Sequence, residues 1–145
     1  MRDPGGERAG PQRVGPPQVC VGAVAVAADR LLVVRRAQEP GRGRWSIPGG
    51  RVLPGEALAD AVLRELAEET GVTGTCGALV GVAERHGADH HFVILDFRVD
   101  VPTPVRPVAG SDADEAAWVA LRAVRGLPLV DGLADFLTDH GVLPH

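Results

Sequence analysis

Two hydrophobic rhythms alternate along this chain. "VCVGAVAVA" (residues 19–27) is a short unbroken apolar run with β-branched residues, which predicts a buried strand. "RLLVVRR" (30–36) follows after "AD" and predicts its hairpin partner. Two further strands are predicted over 73–84 and 90–99, the second as "HHFVILDFRV", and a short one at "EAAWVAL" (115–121). The spacing of Phe92 and Ile94 reads as plain sheet packing. Helical spacing occurs twice. Residues 56–70 gather Ala59, Val62, Leu63, Leu66 and Ala67 on one side, with Gly71 where a left-handed cap residue is wanted. Near the end, "VDGLADFLTDHG" puts Val130, Leu133, Ala134, Phe136 and Leu137 on one helical face.

The intervening "AQEPGRGRW" and "DVPTPVRPVAGSDAD" read as loops, and "WSIPGG" as a short apolar piece before a tight turn at Gly49 and Gly50. Strands in runs, with one helix in the middle and one at the end, predict an α+β fold: a mixed sheet covered by helices, not a doubly wound alternation. Residues 1–17 are rich in Gly, Pro and Arg without periodicity and are expected to be a disordered tail. Residues 18–145 then form a single domain, as the length of 145 residues allows.

Composition narrows the partners. The chain is 45% hydrophobic and 23% charged, as in folded proteins, and its net charge of −4 argues against a nucleic-acid polymer as main partner. All 15 basic residues are Arg, a pattern that coding bias explains better than phosphate recognition does. Cys20 and Cys76 stand alone in apolar runs, so reduced thiols are expected and a structural zinc held by cysteines is not. No run of 18 apolar residues and no signal-peptide core occurs, so no membrane partner and a cytoplasmic location are expected.

The helix at 56–70 poses a problem of charge. With about 100° per residue, Glu65, Glu68 and Glu69 project within an arc of roughly 100°, and like charges at such spacings repel. A solvated face would explain a run of charge, but such faces normally mix signs, and only Arg64 is near enough to pair, with Glu68 at i,i+4. Three oxygen donors in one arc suit Mg²⁺ or Mn²⁺.

Spacing around these acids is more specific. Gly50, five residues, Glu56, seven residues, then Arg64-Glu65-Leu66-Ala67-Glu68-Glu69-Thr70-Gly71-Val72 resembles the Nudix box, and every defined position is filled. The upstream "GRGRWSIPGG" and the order of strands extend the resemblance over about residues 18–140. It implies a Nudix-type α/β/α sandwich whose catalytic helix spans about 56–70. It also implies an Mg²⁺- or Mn²⁺-dependent pyrophosphohydrolase of a small-molecule nucleoside diphosphate derivative. ADP-ribose or a nucleotide sugar is favoured; nucleoside triphosphates, including oxidised purines, come second. A non-catalytic Nudix-fold nucleotide-binding module is the alternative of another class, and many relatives are homodimers.

Carried over position by position, the resemblance makes Glu65, Glu68 and Glu69 metal ligands, joined by the Gly49 carbonyl. Arg64 would orient Glu68, and Glu56 would tie the loop to the helix. Gly50 and Gly71 are structural. The general base is left open between Glu65, Glu84 and Glu115. Arg42 and Arg44 are either phosphate clamps or loop solubilisers. In "ERHGADHH" (84–91), strand alternation lets only one of His90 and His91 face the substrate, and His91 is preferred. That segment reads either as a zinc site or, more commonly for such composition, as a polar loop. Trp45 and Trp118 are expected in the core.

Overall fold

Strand β1 (Gln18–Ala27) is the axis of the molecule, bonded along both edges. The structure is a computed structural model that describes residues 14–110 and 112–145, so most of the tail expected at 1–17 lies outside the described residues. On one edge β1 runs parallel to β6 (His91–Asp100), with Val21 opposite Leu95, and β6 in turn pairs antiparallel with β5 (Thr75–His86). On the other edge lies β4 (Gly49–Arg51), antiparallel, and the last two residues of β1 turn into β2 (Arg30–Arg36). Strand β2 carries both β3 (Trp45–Ser46) and β7 (Ala113–Ala120). The result is a seven-stranded mixed sheet, as the strand order predicted.

Alternation along β1 divides the core into two layers. Val21, Ala23 and Ala25 pack with Leu32 and Val99 against Ala61, Val62 and Leu66 of helix α1 (Leu58–Thr70). Val24 faces the other way. With Leu31, Val33 and Trp45 it meets Leu133 and Leu137 of helix α2 (Leu133–Asp139) and Val124 of a 3₁₀ helix at Leu121–Gly126. A sheet between helical layers is the expected α/β/α sandwich. Trp45 is 8% exposed in one core layer, and half-buried Trp118 packs on the other. Among the described residues no helix is long and apolar enough to cross a membrane.

Two details differ from the sequence expectation. Helix α1 begins at Leu58, because Gly55 at φ 80 sits in a turn that Glu56 closes by donating its N–H to the Leu53 carbonyl at 3.0 Å. The tight turn expected at Gly49–Gly50 is instead strand β4, and neither glycine has positive φ. These glycines serve close approach. A Cβ on Gly49 would lie 2.2 Å from the Val21 carbonyl oxygen, and one on Gly50 would lie 2.5 Å from a Glu65 carboxylate oxygen.

The far end of α1 follows prediction. Gly71 adopts φ 72 and donates its N–H to the Ala67 carbonyl at 2.8 Å. The next exposed carbonyls, those of Glu69 and Thr70, accept from Gly110 and Val108, each at 2.9 Å. The loop after β6 therefore caps the acidic helix and carries Asp112 to its side.

Candidate active site

One guanidinium organises the acidic helix. Arg64 Nε and Nη2 donate to the two carboxylate oxygens of Glu56 at 2.6 and 2.9 Å. Its Nη1 donates to Glu65 at 2.9 Å and to Glu68 at 3.2 Å, and Nη2 also reaches the Arg51 carbonyl at 3.0 Å. Five donors in a rigid plane suit this role, which an ammonium could not fill. The Arg64 hydrogen bonds hold the Glu56 carboxyl down at about 2, with help from the Leu53 N–H. The like charges of Glu56, Glu65 and Glu68 are thus offset by one shared cation.

Glu69 lies outside that network. Its Oε1 accepts the Gly49 N–H at 3.1 Å, which binds the helix to β4. Burial dominates its chemistry and pushes the carboxyl up to about 7, against the pull of the Gly49 N–H and with added repulsion from Glu65. Glu65 is also raised, first by burial, with Arg64 pulling the other way. Two half-buried carboxylates beside a backbone too close for any Cβ form a cradle of hard oxygen donors, and the Gly49 carbonyl belongs to the same strand.

This cradle forms one wall of a cleft of ≈ 1240 Å³. Of the anticipated residues, Gly49, Gly50, Glu65, Glu69, Arg44 and Glu84 line it. Glu68 does not; its side chain is 59% exposed beside Arg64. Arg42 is exposed outside the lining, and Arg44 Nη1 donates to the Leu129 carbonyl at 3.0 Å. Glu115 pairs with Arg35 at 3.4 Å, away from the cleft. His90 lines the cleft, whereas His91 turns to Glu84 at 3.0 Å and stacks on His86.

Several lining residues carried no signal strong enough to single them out. Phe92 and Ile94, read as sheet packing, form cleft floor together with Asp96. Asp96 is 5% exposed, and burial lifts its carboxyl to about 6 while Arg85 and His140 draw it down. Its clue was a lone acid at the same two-residue period as Phe92 and Ile94, and register puts it opposite Gly22. Arg36 and Arg51 join Arg44 and Arg85 in the lining, and Asp112 faces the acidic wall. Their approach depends on pairing between distant segments, which no local pattern reveals.

Comparison with known proteins adds the family. The NUDIX domain model matches residues 16–139. The chain belongs to the NUDIX family. It is 34% identical over 107 residues to an ADP-ribose pyrophosphatase of Methanocaldococcus jannaschii, covering 72% of this chain and 63% of that protein. It is 32% identical over 118 residues to an 8-oxo-dGDP phosphatase of Homo sapiens, covering 79% of this chain and 36% of that protein. The MutT protein of Methanosarcina mazei Go1 has the same fold, with a TM-score of 0.77 at 27% identity, over 87% of this chain and 94% of that one. The NUDIX chain thus spans less than two thirds of either curated relative. NUDIX enzymes generally use a divalent metal.

Proposed function

We propose that this NUDIX chain hydrolyses the phosphoanhydride of a nucleoside diphosphate derivative, with ADP-ribose or a nucleotide sugar as the favoured substrate. The observation that carries this reading is the convergence of Glu65 and Glu69 with the Gly49–Gly50 backbone on the wall of a large arginine-lined cleft. The volume of ≈ 1240 Å³ exceeds that of ordinary small-ligand pockets and suits a substrate with a group at each end of its diphosphate.

The donor set fits Mg²⁺ or Mn²⁺: oxygen-only ligands, one desolvated carboxylate that accepts a backbone N–H, and glycine leaving space. Glu65, Glu69 and the Gly49 carbonyl would hold the ion, with Glu68 at the rim. Bound there, it supplies charge neutralisation for the diphosphate and a lowered pKa for water. The protein's own groups do the rest. Arg36, Arg44 and Arg51 bind phosphate oxygens, Arg64 fixes Glu65 in place, and Glu65 accepts the proton of the attacking water. Free thiols at Cys20 and Cys76 suit a reducing, cytoplasmic setting.

A second reading, a nucleoside di- or triphosphate bearing an oxidised purine, is favoured by one observation. Asp96 presents a buried carboxyl on the cleft floor, where a polar edge of a purine can pair. Turnover of ADP-ribose, nucleotide sugars, and ordinary and oxidised nucleotides, assayed with Mg²⁺ or Mn²⁺, decides between them. The first reading expects ADP-ribose or a nucleotide sugar to give the highest kcat/KM. Hydrolysis of none would overturn both.

A further inference from the structure

Hairpin β5–β6 carries a second cluster of ligating side chains that the acidic wall does not use. His86 is directly opposite His91 and Glu84 is opposite Val93, so Glu84, His86 and His91 share one sheet face. Phe92, Ile94 and Asp96 alternate to the other face, which floors the cleft, while Glu84 and His86 also border it. His91 Nε2 lies 3.0 Å from Glu84 Oε2, and His86 Nε2 lies 3.5 Å from the same oxygen. The two rings stack with centroids 4.1 Å apart. One donor atom from each of the three residues falls within 4.8 Å of the others.

The two separations from Glu84 match a coordination sphere. Tetrahedral bonds of about 2.0–2.1 Å place ligand atoms about 3.3 Å apart, so both nitrogens already stand near ligand spacing from the carboxylate oxygen. The hairpin holds them there, because the loop between the strands is short and Gly87 donates its N–H to the His90 carbonyl at 2.9 Å. The chemistry differs from that of the acidic wall. Two imidazoles with one carboxylate select a borderline transition cation, whereas oxygen-only donors select Mg²⁺.

We propose that Glu84, His86 and His91 form a binding site for a divalent transition cation of the Zn²⁺ type, separate from the cradle at Glu65 and Glu69. Such an ion replaces the Nε2 protons that otherwise face Glu84, and it clips β5 to β6. The clipped loop carries His90, which stacks on Phe92 at 5.0 Å and lines the cleft, so occupancy fixes one edge of the substrate entrance.

The test uses the full chain in excess Mg²⁺, which occupies the oxygen-only site. Added Zn²⁺ is expected to raise Tm by roughly 5 °C or more, as saturation of a native-state site does. The rise disappears in His86→Ala and in His91→Ala. His86, with a side chain 65% exposed, can be removed without loss of fold, which the Zn²⁺-free Tm checks. Cu²⁺ added to the wild type is expected to show electron-spin coupling to two imidazole nitrogens, and to one in each single variant. An equal Zn²⁺ shift in wild type and both variants, no shift in the wild type, or two-nitrogen coupling that survives in the double variant would overturn the site. None of these readouts depends on hydrolysis.

Discussion

The Gly49 amide donates to Glu69 Oε1 at 3.1 Å, tying the first residue of β4 to the last turn of the acidic helix. That single bond explains why a carboxylate with no cation in contact among the described residues persists on the cleft wall: the backbone partly satisfies it, and burial raises it to about 7. Glu69→Gln keeps an acceptor for the Gly49 N–H and removes the charge. Mg²⁺-dependent turnover is expected to fall by at least about 10²-fold while folding survives. Steady-state assays with the preferred substrate measure the first outcome and far-UV circular dichroism the second. Full activity in this variant would end the metal-ligand assignment.

The same residue predicts an unusual pH dependence for the metal-free chain. Its folded pKa of about 7 lies above the ordinary 4.5, so between these values the native state binds more protons than the unfolded state does. Stability must therefore fall as pH rises through that window, by an amount on the order of 3 kcal/mol, and level off above it. Asp96, raised from 3.8 to about 6, works in the same direction at lower pH. Glu56, held at about 2, works oppositely: its contribution is present above 4.5 and is lost as pH drops toward 2. Urea denaturation in EDTA at pH 5 and pH 8 should show a decline in wild type that is smaller in Glu69→Gln. Parallel behaviour of the two proteins would remove the burial argument. Mg²⁺ should restore stability at pH 8, since the ion competes with the proton for the same oxygens.

Arg64 offers a test of geometry against charge. Lysine at this position keeps the cation but cannot hold two Glu56 oxygens and reach Glu65 and Glu68 as well. Arg64→Lys should cost about 1–3 kcal/mol and reduce kcat roughly tenfold or more, because Glu65 loses its fixed orientation. Glu68→Gln, at a side chain 59% exposed, should change stability by less than about 0.5 kcal/mol. Urea midpoints for the pair separate the two roles. Wild-type stability in Arg64→Lys would mean that the network acts by charge alone.

Much of this arrangement is legible in the sequence. The strands of β1, β2, β5 and β6 declare themselves by short apolar runs, and α1 by its stripe and its glycine stop, since local period and burial coincide there. Gly49 and Gly50 read equally as a turn and as residues that let backbone come close, and only the packing of Glu65 against β4 selects the second. The stretch at 110–118 reads equally as a plain turn or as the source of an acid for the metal cluster, and which of its acids reaches the wall, Asp112, was not legible. Its place depends on Gly110 capping the carbonyl of Glu69, a contact across 41 positions in sequence. Helical angles put three glutamates in one arc, but the Arg64 fork draws Glu68 to the rim while the Gly49 amide holds Glu69 on the wall.

Gly22 and Asp96 supply the sharpest test of how the cleft reads what hangs from the diphosphate. A Cβ on Gly22 would stand 2.1 Å from Asp96 Oδ1, so the glycine exists here to admit the carboxyl. Asp96 carries a burial penalty when ionised, and Asp96→Asn relieves it, so the variant should fold at least as well as wild type at pH 8. If Asp96 reads the base, the substitution leaves the cradle intact and changes only the pattern of donors offered to the ligand. KM for the best substrate should then rise about tenfold, the loss expected for one mismatched buried hydrogen bond, with kcat within about threefold. Gly22→Ala should reproduce the KM effect by pushing the same carboxyl aside, despite leaving its chemistry unchanged. A kcat collapse in Asp96→Asn would instead place this residue with the hydrolytic groups, and an unaltered KM in both variants would leave the floor of the cleft without a reader.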